Sequence, residues 1–405
     1  MTSHSGRMTL TAAVGRAVVL GGAVLLSACG GETAPDVGSA LPPGTPASVD
    51  PTPMMSVGTV AGDTLHEFHR VVTPFLDSRG RLVVPLASSN TLRVFGPDGE
   101  FLMSHGRSGA GPGEFEHISA AWARGDTIEV FDGSLNRITR FYPDDQFEVV
   151  NMERAVDVQG AAPGAAPDGW ILQRVARERA SASQVTRRDD LVLHHFALDG
   201  SHRGEITRTE GIARFRSPAG SGPDPLSPRS VMIVSNGLLY VGETLTPALR
   251  VLQADGTPHS EIRWDAPQPQ SIDQLVSDVV DSAVARSPAG HADGTRARLQ
   301  AAPPVDAVSA WWDFIVDSEG FIWVRQYEPL RHAAALGGLG TSSYTLGGNG
   351  HGGTWLIVSP DGGMVNDVEL PLELSPVQIN ADVLVGIRRD ALGVESVHVH
   401  RLTRH

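Results

Sequence analysis

A chain of 405 residues, 41% of them apolar and 19% charged, is too hydrophobic for a disordered protein and long enough to bury a large core. Its 46 acidic residues outweigh 32 basic ones, all of them arginine, for a formal net charge of −14, which argues against nucleic acid as a partner. A single cysteine rules out an intramolecular disulfide, so the fold must hold by packing.

Arg7 and Arg16 precede an apolar run from Ala17 to Leu26, followed by the small residues Ser27 and Ala28. This is the layout of a secretory signal over residues 1–28. The apolar run is about half of the ~20 residues a membrane helix needs, so it reads as a leader and not as a span. The tetrad Leu26-Ser27-Ala28-Cys29 resembles a lipobox, which implies a lipidated Cys29 and makes the membrane a partner through that anchor. In diderm bacteria an Asp after such a cysteine retains a lipoprotein in the inner membrane. Position 30 is Gly, so the outer membrane is the expected site if the host is diderm. Residues 29–54, rich in Pro and Gly with little apolar surface, read as a flexible tether.

Residues 55–405 carry short β-branched and aromatic runs broken by Gly, Asp, Asn and Pro, the pattern of many short strands. One class of turn leads into a strongly β-forming run, at Asp77–Gly80, Arg124–Asp126, Pro167–Gly169, Ser235–Gly237, Asp317–Gly320 and Asn380–Asp382. A second class follows a strand, at Gly96–Gly99, Pro143–Asp145, Leu198–Gly200, Ala254–Gly256 and Pro360–Gly362. Pro presets φ while Asp and Gly tolerate the bridge and left-handed regions, so both classes are hairpin turns. Taken as the a–b and c–d turns of four-stranded blades, they predict an all-β, six-bladed β-propeller whose last blade lacks its outer strand. The segment Met55 to Gly62 is available to pair with the C-terminal blade and close the ring, which also removes a sheet edge. The interval from Asp255 to Asp361 is about twice the earlier ones but holds one a–b turn, at Gly320, so it reads as one blade with two insertions.

In this strand order the a–b and c–d turns share one face of the disc, and the b–c loops and d–a crossovers share the other. The long excursions are Arg174–Arg188, Arg208–Ser227, Pro267–Pro304, with a helix expected over Ser271–Val284, and Tyr327–Gly353. All four fall on the second face, the candidate functional face.

The run Gly106-Arg107-Ser108-Gly109-Ala110-Gly111-Pro112-Gly113-Glu114-Phe115, with Leu92–Gly99 before it and Asn136–Phe141 after it, resembles the inter-blade segment of NHL-repeat proteins. The ending Gly386–Asp390 with Val397–Leu402 is similar to that of bacterial six-bladed propeller lipoproteins of undefined activity. The resemblance covers roughly residues 55 to 405, is weakest in the third blade, and implies a fold and a compartment but no reaction.

The glycines of 106–113 lack a following Gly-Lys-Ser/Thr, so they read as a crossover turn and not a phosphate loop. Arg174, Arg177, Arg179, Arg187 and Arg188, with Arg208, Arg214 and Arg216 in the neighbouring crossover, gather cations on the candidate face. They suit carboxylate or phosphate groups, or else pair with the acids of the chain. Arg325, Tyr327 and His351 join them as ligand-binding candidates. Glu114, His117, Arg325 and His351 are the candidates for a hydrolase or lyase site at the channel mouth, lactonase-like or streptogramin-lyase-like. His398 and His400 share a strand side, but as outer-strand histidines they are expected to be solvated, and no metal is expected. Of His194 and His195, on opposite faces, one is expected in the core and one exposed. Trp311, Trp312 and Trp323 are expected between blades. No cofactor is implied. The leading expectation is a lipid-anchored envelope module that binds a protein or small ligand through the long-loop face; an enzyme and a purely structural envelope component are the other two.

Overall fold

The computed structural model describes residues 46–405 apart from 59–62, 155–163, 177–185, 218–219, 225, 267–270, 286, 288–289, 303–305, 331–351 and 391. Cys29 and the expected tether up to residue 45 therefore lie outside the described residues.

Six antiparallel sheets follow one another along the chain. Blade one comprises β2 (Phe75–Leu76), β3 (Leu82–Leu86), β4 (Thr91–Phe95) and β5 (Phe101–His105). Blade two comprises β6 (Ile118–Arg124), β7 (Thr127–Asp132), β8 (Arg137–Phe141) and β9 (Phe147–Asn151). Blade three has five strands, β10 (Gly164–Ala166), β11 (Gly169–Ala176), β12 (Thr186–Ala197), β13 (His202–Ser217) and β14 (Gly220–Pro223). Blade four comprises β15 (Ser230–Ser235), β16 (Leu238–Glu243), β17 (Ala248–Leu252) and β18 (Pro258–Arg263), and blade five β19 (Trp311–Val316), β20 (Ile322–Gln326), β21 (Gly353–Val358) and β22 (Met364–Leu370). Blade six comprises β23 (Leu374–Ile379), β24 (Val383–Arg389) and β25 (Glu395–Arg404), with β1 (Ala47–Val57) antiparallel on β25 as its outermost strand. The six-bladed ring closed by an N-terminal strand is thus what the turns implied.

Every turn of both classes falls between the strands assigned to it. At Asn236-Gly237 both residues have positive φ, 50° and 76°, and Ser235 pairs with Leu238. That is a two-residue type I′ hairpin, whose twist matches the flanking strands.

The ring has no single core. Apolar clusters form between successive blades: Phe75, Val83 and Val94 meet Ile118, Ala121 and Val130; Phe131 and Ile138 meet Trp170 and Phe196; Ile171 and Leu193 meet Leu239 and Val241. Phe314, Ile322 and Val324 pack on Tyr240, Leu249 and Val251, and Trp323, Trp355 and Ile357 on Leu384 and Leu402. Val385, Val397 and Val57 then meet Leu82, Val84 and Phe95 across the closing seam. Two buried carboxylates brace these interfaces. Glu129, on β7, accepts hydrogen bonds from the indoles of Trp122 (2.7 Å) and Trp170 (2.8 Å) and from Arg124 (2.9 Å) and Arg140 (3.3 Å). Asp317 accepts from the Trp323 indole (2.9 Å) and from Arg404 (2.5 Å) near the chain's end.

Several local expectations change. The closing strand begins at Ala47, so residues 47–54 are strand and not tether. Pro51 and Pro53 misled composition here: β1 is an edge strand, where a residue without an N–H removes no ladder bond. His194 and His195 are both buried, at 4% and 8% exposure, because a strand inside a blade is covered on both faces by the flanking blades. His400 is buried too, bonded through Nδ1 to the Asp50 carbonyl of β1 (2.8 Å), and His398 is partly buried beside it. Their strand is third in the blade and not outermost. The glycine run of 106–113 is a crossover turn, as expected: Arg137 donates to the carbonyls of Ala110, Gly111 and Glu114, while the Glu114 carboxylate accepts from the Gly111 N–H (2.8 Å).

Candidate functional site

The innermost strands β2, β6, β10, β15, β19 and β23 enclose an axial cavity of about 480 Å³. Small and apolar residues such as Ala121, Val231, Ile233 and Ile315 form most of its wall, with the Trp122 ring among them. Its charged lining residues are Arg229 and Asp313, and its lining includes no histidine among the described residues. Gln378 is committed to the fold, bridging to the N–H (2.8 Å) and carbonyl (3.3 Å) of Leu76 across the closing seam. Ser230 shares a short hydrogen bond with Thr209 of β13.

Each innermost strand enters from the face that carries the b–c loops and d–a crossovers. Arg229 and Trp312–Asp313 stand at that end of blades four and five, and Gln173 and Arg325 at the same end of the second strands of blades three and five. A β-bulge shapes this corner. Trp311 pairs with Gln326 and Asp313 with Arg325, leaving Trp312 as the extra residue. Trp311 accordingly enters the inter-blade core, while Trp312 stacks on Tyr327 with ring centroids 5.8 Å apart and planes 15° from parallel. The Arg229 guanidinium lies 4.1 Å from the centre of the Trp312 ring and donates to the Trp312 carbonyl (3.0 Å).

The excursions converge on the same corner. Tyr327 packs with Ile212 of β13 and Trp312, and also against Leu226, Val308 and the helix α1 (Ile272–Ala285) at Val276 and Val279. That helix realises the one expected over Ser271–Val284, and α2 (Ala292–Gln300) follows it. Burial dominates the electrostatics. The Asp313 carboxyl is raised above the usual carboxylate range by desolvation, against the lowering pull of Arg229, the Phe314 N–H and Arg325. Desolvation likewise raises Asp224, and raises the Tyr327 phenol with help from the Asp224 charge.

Of the residues singled out from sequence, Arg325 and Tyr327 belong to this cluster. Arg325 is buried directly opposite Asp313. Arg174, two residues before the end of β11, lies near His194, whose pKa is lowered to about 4 by burial first and by the His202 and Arg174 charges after it. Arg208 is held by Asp190 (2.9 Å) and Glu205 (3.2 Å), and Arg188 by Glu210 (2.6 Å), so these two arginines serve ion pairs along the blade. Arg214 and Arg216 lie near the end of β13, the first partly buried and the second exposed. Arg177, Arg179 and His351 lie outside the described residues. Glu114 and His117 do not converge on the channel: Glu114 is bound to Arg107 (2.7 Å) within the crossover turn, and His117 is exposed. Trp311 and Trp323 pack between blades as expected, whereas Trp312 packs with Ile212 and Tyr327.

Sequence reasoning missed Gln173, Arg229 and Asp313. A signal existed for Asp313, the one acid in the run Trp311–Val316, and for Gln173, a polar residue ending the run Trp170–Leu172. Which side of the strand each faces was not readable.

Fold and site together define the class: a six-bladed propeller whose axial cavity has an apolar wall carrying one pair of opposite charges, Arg229 and Asp313. No family model matches the chain, and no curated protein does. The likeness to NHL repeats therefore rests on the segments quoted above. Among solved structures, a Bacteroides fragilis protein classed as exported is similar over 89% of this chain and 95% of its own, at 10% identity and a TM-score of 0.48. A member of the duf4221 family from Bacteroides vulgatus is similar over 89% and 100%, at 8% identity and a TM-score of 0.47. Virginiamycin B lyase from Staphylococcus aureus is similar over 88% and 99%, at 10% identity and a TM-score of 0.41.

Proposed function

We propose that this chain is an exported binding module, anchored to the cell envelope by a lipid on Cys29 and taking a small ligand or a partner protein at the long-loop mouth of its propeller. One observation carries the reading: at the end of the cavity nearest the b–c loops and d–a crossovers, Gln173, Arg229 and Asp313 join an apolar wall, the composition of a ligand pocket. The anchor rests on the leader of residues 1–28 and the tetrad ending at Cys29. In a diderm host, Gly30 directs the expectation to the outer membrane. No helix among the described residues is long and apolar enough to cross a membrane.

The test is affinity capture from solubilised membranes with three forms of the full chain: wild type, one with residues 177–185 replaced by a short Gly-Ser link, and one altered on the opposite face at Asp126→Ala. Capture lost only when 177–185 are replaced is the expected result. Capture that survives that replacement, or is lost equally with Asp126→Ala, would overturn the assignment of the face. Separately, Cys29→Ser should move the protein from the membrane to the soluble fraction, and unchanged membrane association would remove the anchor.

A further inference from the structure

Gln173 is a buried polar group that the described protein leaves unsatisfied. The residue is 4% exposed and lines the cavity, and its amide nitrogen has no hydrogen-bond partner among the described residues. An unmade hydrogen bond in the interior is costly, so a buried amide facing a cavity points to a molecule that completes it. The charged groups of the cavity lining are a pair of opposite sign. Asp313 lines the cavity and accepts through Oδ1 from the N–H of Phe314 (2.9 Å). Arg229 is fixed beside it by its bond to the carbonyl of Trp312, the residue before Asp313, and by the Trp312 ring beneath it.

A ligand bearing only a carboxylate would bring like charge to Asp313, and one bearing only an ammonium would bring it to Arg229 and Arg325. Either juxtaposition is penalised where water is scarce. A ligand carrying both charges meets a complement for each. The remaining wall, with Val231, Ile233 and Ile315, is apolar.

We propose that the channel binds a small zwitterion, one ammonium and one carboxylate on an apolar body, with Asp313 accepting from the ammonium while Arg229 and the Gln173 amide hold the carboxylate. This rests on the binding-module reading of the same mouth and specifies its ligand. A free apolar amino acid and a short apolar peptide share this chemistry, and a cavity of about 480 Å³ admits both.

The test titrates the full-length, detergent-solubilised protein with L-leucine, L-phenylalanine, leucyl-leucine, N-acetyl-L-leucine and L-leucinamide. Calorimetry and the fluorescence of Trp122 in the cavity wall report binding. At least one unblocked compound should bind, and blocking either charge should weaken it roughly tenfold or more. Binding by the dipeptide alone assigns the source as peptide, and binding by the amino acids assigns it as free amino acid. Asp313→Asn should abolish the preference of the wild type for leucine over its N-acetyl form. Gln173→Leu should weaken binding while leaving thermal stability unchanged or higher, because it removes an unsatisfied group; a merely structural Gln173 would lower stability instead. No binding by any unblocked compound at millimolar concentration, or equal binding of the blocked forms, overturns the proposal. Partner capture through residues 177–185 without zwitterion binding sinks this inference alone, and zwitterion binding without such capture sinks the assignment of the loop face alone.

Discussion

At the scale of single residues, this protein places its charges where blades meet. Glu129 is fully buried yet has four donors, two of them guanidiniums whose planes also lie over the Trp170 ring. Removing one member of such a network strands the others without water. Glu129→Ala is therefore expected to cost about 3–5 kcal/mol, read as a fall in the urea midpoint. A loss below about 1 kcal/mol would mean that the arginines find water. Two histidines held by desolvation, one buried and one partly buried, give a pH dependence of known sign. His194 and His398 are lowered from 6.5 to about 4, each by burial first. Between those values the unfolded chain binds more protons than the folded one, so their contribution to stability is whole above pH 6.5 and is lost as pH falls toward 4. Unfolding midpoints measured from pH 7 to 4 should fall, and His398→Gln should flatten the fall; an unaltered slope would remove His398 as a cause. Residue roles of this kind were the least legible in the sequence. A lone Asp in an apolar strand is visible, but its meaning depends on a bulge at Trp312 and on an Arg from the preceding blade, 84 positions earlier in the chain.

At the scale of elements, the turns and the helix α1 were legible and the strand extensions in blade three were not. A hairpin turn is written in adjacent residues, because Asp, Asn and Gly admit backbone angles that others resist; hence both turn classes could be placed by inspection. Replacing Asn236-Gly237 by Ala-Ala should cost about 2–4 kcal/mol, since two residues with side chains would be forced to positive φ. Thermal melting measures it, and a loss within experimental error would show that the turn can change type. The segments expected as loops behave differently. Residues 174–176 and 186–188 prolong β11 and β12, and residues 208–217 prolong β13, whose end β14 pairs to make a fifth strand. Nothing local announces this, because the extension exists only as cross-strand pairing. Of the arginines read together as a cationic face, Arg188 and Arg208 accordingly went to carboxylates of neighbouring strands.

At the scale of the whole molecule, six interfaces of similar make share the burial, and one of them joins the chain's first strand to its last. Deleting residues 47–57 should leave β25 as an exposed edge with half of a hydrophobic seam. The expected outcome is a soluble but association-prone protein, with higher-order species in size-exclusion chromatography and a lower melting temperature. A monomer of wild-type stability would show that β1 is dispensable. The bond between His400 and Asp50 spans 350 positions of sequence, and that separation has a consequence in time. A ribosome delivers Asp50 long before His400, so β1 must wait, unpaired, while five blades are made. Closing so long a loop is entropically slow, and the last blade can neither form nor dock until its earliest-made member returns. The ring therefore completes itself only once nearly the whole chain is present, and a product cut short within β25 would hold five blades with nothing to join them.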